Sequence, residues 1–232
     1  DHPAVSETDR MPMNRANASA TASQQAPKGG GRPTAMRQGT AVIDVLFVIV
    51  SQALLLDIAG PAEAFRLANL HRSRRGLPPR FRLRFSSYLP TALTSVGLPL
   101  AGLEPLPPAL SAPTWVVLVG QPSAHAGNVT PAIAATAQWL HRTLQDALRT
   151  QDTPHRLITI CSGALLAARA GLLARRRCTT HHELLEALRA LAPQAQVVGN
   201  RVFQIDGPIA SSAGITAGID LALHLISADC GG

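Results

Sequence analysis

The sequence is poor in aromatic residues and has almost no lysine. Phenylalanine, tyrosine and tryptophan together make up 3% of its 232 residues, and Lys28 is the only lysine. Aliphatic side chains must therefore fill the interior, and we expect a core of Leu, Ala, Val and Ile. The hydrophobic content of 46% suffices for one large domain and excludes a chain that is disordered throughout.

The sequence also lacks a long apolar run and a basic stripe. The best apolar run, residues 42–50, is too short for a membrane span and contains Asp44, so we expect no membrane partner. The net charge of +7 is carried by scattered arginines without interleaved aromatic residues. This pattern does not indicate a nucleic-acid-binding surface.

Cysteine is scarce as well. Cys161, Cys178 and Cys230 are an odd number of widely spaced thiols, and no apolar secretory segment is present. These features predict reduced cysteines in a cytoplasmic protein.

Two regions differ in composition. Residues 1–40 are rich in small and polar residues and contain a Gly-Gly-Gly linker, so we predict a disordered tail. Residues 41–232 are predicted to form one domain. Its buried strands are expected at 42–50, 114–120 and 156–160, and a half-exposed strand near an edge at 80–87.

Helical patterns alternate with these strands, which predicts an α/β fold with a mostly parallel sheet and helices on both faces. After a loop at 51–61, a helix is expected at 62–70, with Pro61 near its first turn. Another is expected at 131–149, and the last at 216–228. Hairpins are predicted within 93–100, with Gly97 in the turn, and within 197–206, around Gly199-Asn200. A hydroxyl from Thr179 or Thr180 is expected to cap the helix that follows.

Cys161 is the first candidate functional residue. The β-branched run 156–160 ends at this cysteine, and Ser162, Gly163 and an Ala/Leu-rich helical pattern follow. The pattern predicts a strand, a sharp turn and a helix, like a nucleophile elbow with a cysteine at the corner. A helix N-terminus there would lower the pKa of the thiol and favour the reactive thiolate. The alternative is a small buried thiol at a packed turn.

Two further loops follow parallel strands and are expected beside Cys161, since the carboxyl ends of such strands meet at one edge. One holds Asp57, whose apolar neighbours predict a raised pKa and a role as proton donor or acceptor. The alternative is that Asp57 caps a helix. The other loop holds Gly120 and Gln121. An N–H group from either, together with that of Ser162, would suit a developing oxyanion.

His181 is a candidate general base, provided that it reaches Cys161, and the alternative is a histidine at a helix cap. Cys178 and His181 have the spacing of half a zinc site. No second pair follows at matching spacing, so we predict no metal site and no cofactor.

Three segments resemble the PfpI/ThiJ-type, class I glutamine amidotransferase-like superfamily. They are residues 55–65, LLDIAGPAEAF; residues 161–181, from CSGA through AGLL to TTH; and residues 212–224, SAGITAGIDLALH. The resemblance implies a flavodoxin-like three-layer sandwich that is commonly dimeric.

The resemblance also implies residue roles. Cys161 matches the elbow nucleophile, Asp57 the acid/base carboxylate and His181 the histidine of the TTH motif. Gly120, Gln121 and Ser162 are expected to contact a ligand, as is Gly60. Members of the superfamily usually have Gly-Gly where this chain has Gly120-Gln121, which puts the oxyanion site in question.

The most similar branch contains isonitrile hydratases and the N-terminal domains of AraC-type (GlxA-like) transcriptional regulators. Because residues 227–232 resemble the segment that leads into the regulators' linker, we expect a small-molecule-sensing domain. It would form a homodimer and contact DNA only through a helix-turn-helix domain that this chain lacks. The alternative is a stand-alone enzyme like isonitrile hydratase, with Cys161 as nucleophile and Asp57 as acid/base. A third reading is a thiol stress sensor or deglycase-like protein, in which peroxide oxidises Cys161 first.

Overall fold

The computed structural model describes residues 41–214 and 216–231, so the predicted tail at 1–40 lies outside the described residues. The strands are β1 Ile43–Val48, β2 Phe81–Ser87, β3 Ala92–Leu93, β4 Pro99–Leu100, β5 Glu104–Pro105, β6 Thr114–Leu118, β7 Arg156–Ile160, β8 Arg177–Cys178, β9 Gln196–Val197, β10 Phe203–Asp206 and β11 Ile209–Ser212. The helices are α1 Leu55–Arg74, α2 Ser123–Ala126, α3 Pro131–Leu144, α4 Gly163–Arg169, α5 Leu185–Leu191 and α6 Ala217–Cys230, and a 3₁₀ turn covers His182–Leu184. Across these described ranges, no helix has both the length and the apolar character that crossing a membrane requires.

The central sheet has seven strands in the order β10-β11-β7-β6-β1-β2-β5. Neighbouring strands run parallel except for the β10–β11 pair. β1 and β6 are buried along their whole length, whereas β2 is partly exposed and is separated from the edge by the two-residue β5. The predicted parallel α/β sheet and its half-exposed near-edge strand are confirmed.

Two hydrophobic clusters lie on opposite faces of the sheet. Leu46 and Val48 of β1 join the cluster that contains buried residues of α3, α4 and α5, whereas Val45 and Phe47 join the cluster with α1 and α6. This alternation is the two-residue period of a strand that is covered on both faces. The three-layer arrangement follows from it.

The helix α1 begins earlier than expected. It starts at Leu55, so residues 55–61 are helical and not a loop, and Pro61 lies inside the helix. A proline there removes the N–H that would bond to the carbonyl of Asp57. The helix continues because its buried residues, which include Ile58 and Phe65, pack in the core. At the other end of the domain, α3 stops at Leu144, five residues before the predicted end.

The hairpin with Gly97 in its turn is confirmed: β3 and β4 are antiparallel, and Gly97 has a φ of 79°. The predicted pair around Gly199-Asn200 is wrong. The antiparallel pair is β10–β11, and Gly207, with a φ of 58°, supplies the positive φ of its turn. β9 pairs instead with β8, in parallel.

The predicted threonine cap is wrong as well. The 3₁₀ turn has His181 at its N-cap and no capping side chain. The Thr180 hydroxyl donates instead to the backbone oxygen of Cys161, at 2.8 Å, and the Thr179 N–H donates to Ser211 Oγ, at 2.9 Å. Both threonines are buried, because they tie this segment to the sheet.

Candidate functional site

The sheet order brings the three predicted loops together. β7, β6 and β1 are consecutive neighbours, so the residues after their carboxyl ends share one edge of the sheet. A Cβ atom built on Gly120 would lie 2.7 Å from Asp57 Oδ2, 2.8 Å from Cys161 Cβ and 3.1 Å from the Ser162 nitrogen. Only a glycine fits where these groups converge, because real Cβ atoms do not approach other heavy atoms so closely.

Cys161 occupies a sharp corner between β7 and α4. Its φ of 53° lies in the left-handed region, which turns the chain abruptly from strand to helix. Its N–H donates to the oxygen of Ser212, at 3.1 Å, and its side chain is 4% exposed. The predicted elbow is therefore present, with the thiol buried.

Asp57 lies in the first turn of α1 and is completely buried. Its Oδ2 accepts the Gly120 N–H at 3.1 Å, whereas Oδ1 has no hydrogen-bond partner among the described residues. Removal from water raises the pKa of this carboxyl from 3.8 to about 6, and the Gly120 N–H opposes the rise. The alternative role as a helix cap is wrong, since Leu54 is the N-cap of α1 and no side chain caps it.

Ser162 and Gln121 form a closed pair. The Gln121 N–H donates to Ser162 Oγ at 2.6 Å, and Ser162 Oγ donates to the Gln121 oxygen at 2.8 Å. The Gln121 side chain points elsewhere, since its Nε2 donates to the oxygen of Ser51 at 2.6 Å. The Gly120 and Gln121 amides predicted for an oxyanion therefore already have acceptors: Asp57 holds the first and Ser162 the second.

His181 faces Cys161 across Gly214. A Cβ atom on Gly214 would lie 3.0 Å from His181 Cδ2, 4.0 Å from His181 Nε2 and 3.9 Å from Cys161 Sγ. His181 Nδ1 is buried without a hydrogen bond to the described residues, although Glu183 Oε2 lies 3.8 Å away. The imidazole and the thiol are thus neighbours, with the missing side chain of Gly214 leaving room between them.

A cavity of about 530 Å³ opens beside this pair. Its described lining residues are Thr179, Thr180, His181, His182, Leu185, Asn200, Arg201, Val202, Ala213, Gly214, Thr216, Ala217 and Asp220. The volume lies within the usual range for small-molecule pockets. We refer to it as the histidine cavity. Our sequence reasoning did not assign Gly214 to the site, although the glycine of the SAG segment was a signal for a close approach.

Gly60 is placed differently from the sequence-based expectation. A Cβ atom there would lie 2.6 Å from Ile219 Cγ1, so the glycine lets α1 approach α6. It is absent from the described lining of the histidine cavity. Its role in the structure is helix packing.

Cys178 is completely buried, and burial raises the pKa of its thiol to about 11. Within the described ranges, no three His, Cys, Asp or Glu side chains are grouped so that they could hold a metal ion. Cys161, Cys178 and Cys230 form no disulfide with one another.

Comparison with known proteins finds a family similarity in the second half of the chain. Residues 133–228 match the model of the DJ-1/PfpI family. The chain is 40% identical over 99 residues to the HTH-type transcriptional regulator CdhR of Pseudomonas aeruginosa, a match that covers 43% of this chain and 26% of that protein. It is 42% identical over 84 residues to the isonitrile hydratase of Pseudomonas putida, which covers 34% of each chain. The chain therefore spans a quarter to a third of these relatives' length.

A solved structure extends the likeness of the fold over most of the chain. The crystal structure of an AraC family transcriptional regulator from Pseudomonas putida superposes with a TM-score of 0.63 at 20% identity, and the match covers 80% of this chain and 91% of that one. Fold and sequence agree with the resemblance noted in the motifs. Residues 133–228 are therefore similar to the DJ-1/PfpI family.

Proposed function

We propose that this chain is the small-molecule-sensing part of an AraC-type transcriptional regulator, and that its ligand binds in the histidine cavity. The observation that carries the proposal is that the N–H groups of Gly120 and Gln121 already donate hydrogen bonds within the chain. A cysteine hydrolase needs preorganised donors that are aimed at the developing oxyanion. A site in which two of the three candidate donors, the Gly120 and Gln121 amides, are already bonded within the chain suits binding better than turnover.

The cavity offers what a ligand pocket needs. His181, Asn200, Arg201 and Asp220 supply donors and acceptors of both charges, and Leu185 is among its apolar residues. Cys161 lies next to the cavity, behind the open position of Gly214. A bound molecule would thus rest near the thiol without requiring the thiol to react.

The regulator relatives support the wider assignment. We propose a cytoplasmic homodimer that contacts DNA through a helix-turn-helix domain encoded after residue 232, and the regulator names of the relatives support this proposal. The decisive observation is the reading frame of the gene after the codon for Gly232. We expect it to encode two helix-turn-helix units, and a stop codon at that point would refute the proposal.

The second candidate is a stand-alone enzyme that hydrates isonitriles, and Asp57 favours it. A buried carboxyl with a pKa of about 6 beside Cys161 is suited to proton transfer near neutral pH. The Cys161 thiolate would add to the terminal isonitrile carbon, and Asp57 would give that carbon a proton, producing a thioimidate. Water would then replace the sulfur, and the N-substituted formamide would leave.

The two candidates differ in turnover. Purified protein is incubated with cyclohexyl isocyanide, and N-cyclohexylformamide is measured by mass spectrometry. Cys161→Ala and Asp57→Asn remove the groups that the enzyme would need, and Cys230→Ser is the matched control. The regulator proposal expects no product from any of the four proteins. Product that disappears in the first two variants and persists in the control would establish the enzyme instead.

A further inference from the structure

A second cavity lies at the same edge of the sheet but away from the histidine cavity. Its volume is about 160 Å³, and its described lining combines residues that follow β1, β2 and β6 with one side of α3. Gln121 belongs to it, whereas Cys161 and His181 do not. We call it the switch-point cavity.

The topology places this cavity where open α/β sheets bind ligands. From β1 the chain moves outward to β2 and β5, and it then returns to add β6 on the other side of β1. The strand order therefore reverses between β1 and β6, and such a reversal opens a crevice at the carboxyl ends of the strands. Gln52 follows β1 and Gln121 follows β6, and both line the cavity.

The lining is uncharged. Among its described residues there is no Asp, Glu, Lys or Arg. The deep wall consists of buried side chains, namely Ile49, Val50, Ser87, Ala92, Ile133 and Thr136, and Ser87 Oγ accepts the Leu89 N–H at 3.3 Å. The hydroxyl of Thr136 is already used, since it donates to the Ala132 oxygen at 2.7 Å. The interior thus offers a ligand mainly apolar contact.

Polar groups stand at the mouth. Gln52 is half-buried and His125 is exposed, and both line the cavity. Tyr88 and Leu89, which are 56% and 50% exposed, form the rim. The mouth can therefore accept or donate one hydrogen bond while the rest of the ligand lies inside.

We propose that the switch-point cavity binds an uncharged, mostly apolar molecule of about six to nine non-hydrogen atoms with one hydrogen-bonding group. A cavity of about 150 Å³ with apolar walls is known to hold a ring the size of benzene. A charged ligand is disfavoured, because the described lining holds no Asp, Glu, Lys or Arg that would compensate for its loss of water. This inference concerns a site separate from the proposed sensing site and stands whether or not the chain is a regulator.

The cavity is also linked to Cys161. Gln121 lines the cavity, and its backbone N–H and oxygen both bond to Ser162, the residue after Cys161. A ligand that shifts Gln121 moves two hydrogen bonds next to the thiol. Occupancy of the cavity is therefore expected to change the reactivity of Cys161.

Binding is tested with benzyl alcohol and cyclohexanol as neutral probes and with benzoate and benzylammonium as charged probes, by saturation-transfer NMR titration. Ala132→Leu fills the cavity from α3. Ala134→Leu is the matched control, since both alanines are half-buried in the same helix but Ala134 lines a different groove. Thr91→Phe blocks the cavity from an exposed loop position, in case the helix variant fails to fold.

We expect the neutral probes to bind to the wild-type chain and to the Ala134→Leu control, and the two blocking variants to bind them at least about tenfold more weakly. Any one of three results would refute the proposed site: the neutral probes both fail to bind the wild-type chain, the charged probes bind as tightly as the neutral ones, or the blocking variants bind the neutral probes as tightly as the wild type does. Iodoacetamide labelling of Cys161, followed by peptide mapping, then tests the link. Benzyl alcohol should change the rate of Cys161 labelling in the wild type and not in the blocking variants. An unchanged labelling rate in the wild type would refute the link between the switch-point cavity and Cys161.

Discussion

Replacing Asp57 by Asn should make the protein more stable at neutral pH. The carboxyl is fully buried, one of its oxygens has no partner among the described residues, and its pKa in the folded chain is about 6 instead of 3.8. Between these values the folded protein keeps a proton that the unfolded chain has released. Stability must therefore fall as the pH rises from about 4 to about 6.

The size of the effect follows from the same values. The difference between about 6 and 3.8, at about 1.4 kcal/mol per pH unit, amounts to about 3 kcal/mol of lost stability above pH 6. Asparagine has nearly the same shape, can still accept the Gly120 N–H and carries no charge at any pH. At pH 7.5 Asp57→Asn should thus exceed the wild type by up to about 3 kcal/mol, and at pH 4 the two should be nearly equal.

Urea unfolding followed by circular dichroism at half-unit steps from pH 4 to pH 8 measures this difference. Other buried carboxyls, such as Asp44 with its Arg82 partner, titrate alike in both proteins and cancel. Asp220→Asn, which makes the same substitution at an exposed carboxyl, is the control. If the free energies of unfolding of the wild type and Asp57→Asn differ by the same amount at every pH in this range, the buried carboxyl does not hold its proton, and the reasoning fails.

Three further predictions concern neighbouring positions. Gly120→Ala should lower the free energy of unfolding by about 1–3 kcal/mol, because its Cβ would lie under 3 Å from two side chains. Gly127→Ala, with open space around it, should stay within about 1 kcal/mol of the wild type. Equal free energies of unfolding for the two variants would contradict the packing at Gly120. Ser162→Ala should lower the free energy of unfolding by about 1–3 kcal/mol, since two backbone groups lose their partner, and an unchanged midpoint would argue against the closed pair. Iodoacetamide at pH 8.5 should label the partly exposed Cys230 well before Cys178, which is fully buried with a pKa of about 11; mass spectrometry that finds Cys178 labelled first would contradict its burial.

The sequence predicts the sheet well, because burial on both faces produces continuous apolar runs. The strands of residues 43–48, 114–118 and 156–160 were each expected within a few residues. The elbow at Cys161 was also predictable, since a β-branched run followed by Ser-Gly and an Ala/Leu-rich pattern has few other structures. The adjacency of Asp57, Gly120 and Cys161 followed from the rule that parallel strands place their carboxyl ends together.

Other features depend on tertiary contacts that no local pattern contains. Pro61 predicts a helix that starts at residue 62, yet α1 begins seven residues earlier because its buried face packs in the core. The turn at Gly199-Asn200 has suitable residues, but the strands that actually pair flank Gly207. The closed pair between Ser162 and Gln121 could not be predicted, since it joins residues 41 positions apart.

The corner at Cys161 has a consequence for the energy of the whole domain. A φ of 53° costs a residue with a side chain about 1–2 kcal/mol, and only glycine adopts it freely. Cys161→Ala keeps this cost, whereas Cys161→Gly removes it, so the two thiol-free variants should differ in stability even though both lack the sulfur. Their difference would measure how much folding free energy the domain forgoes in order to aim a single sulfur atom.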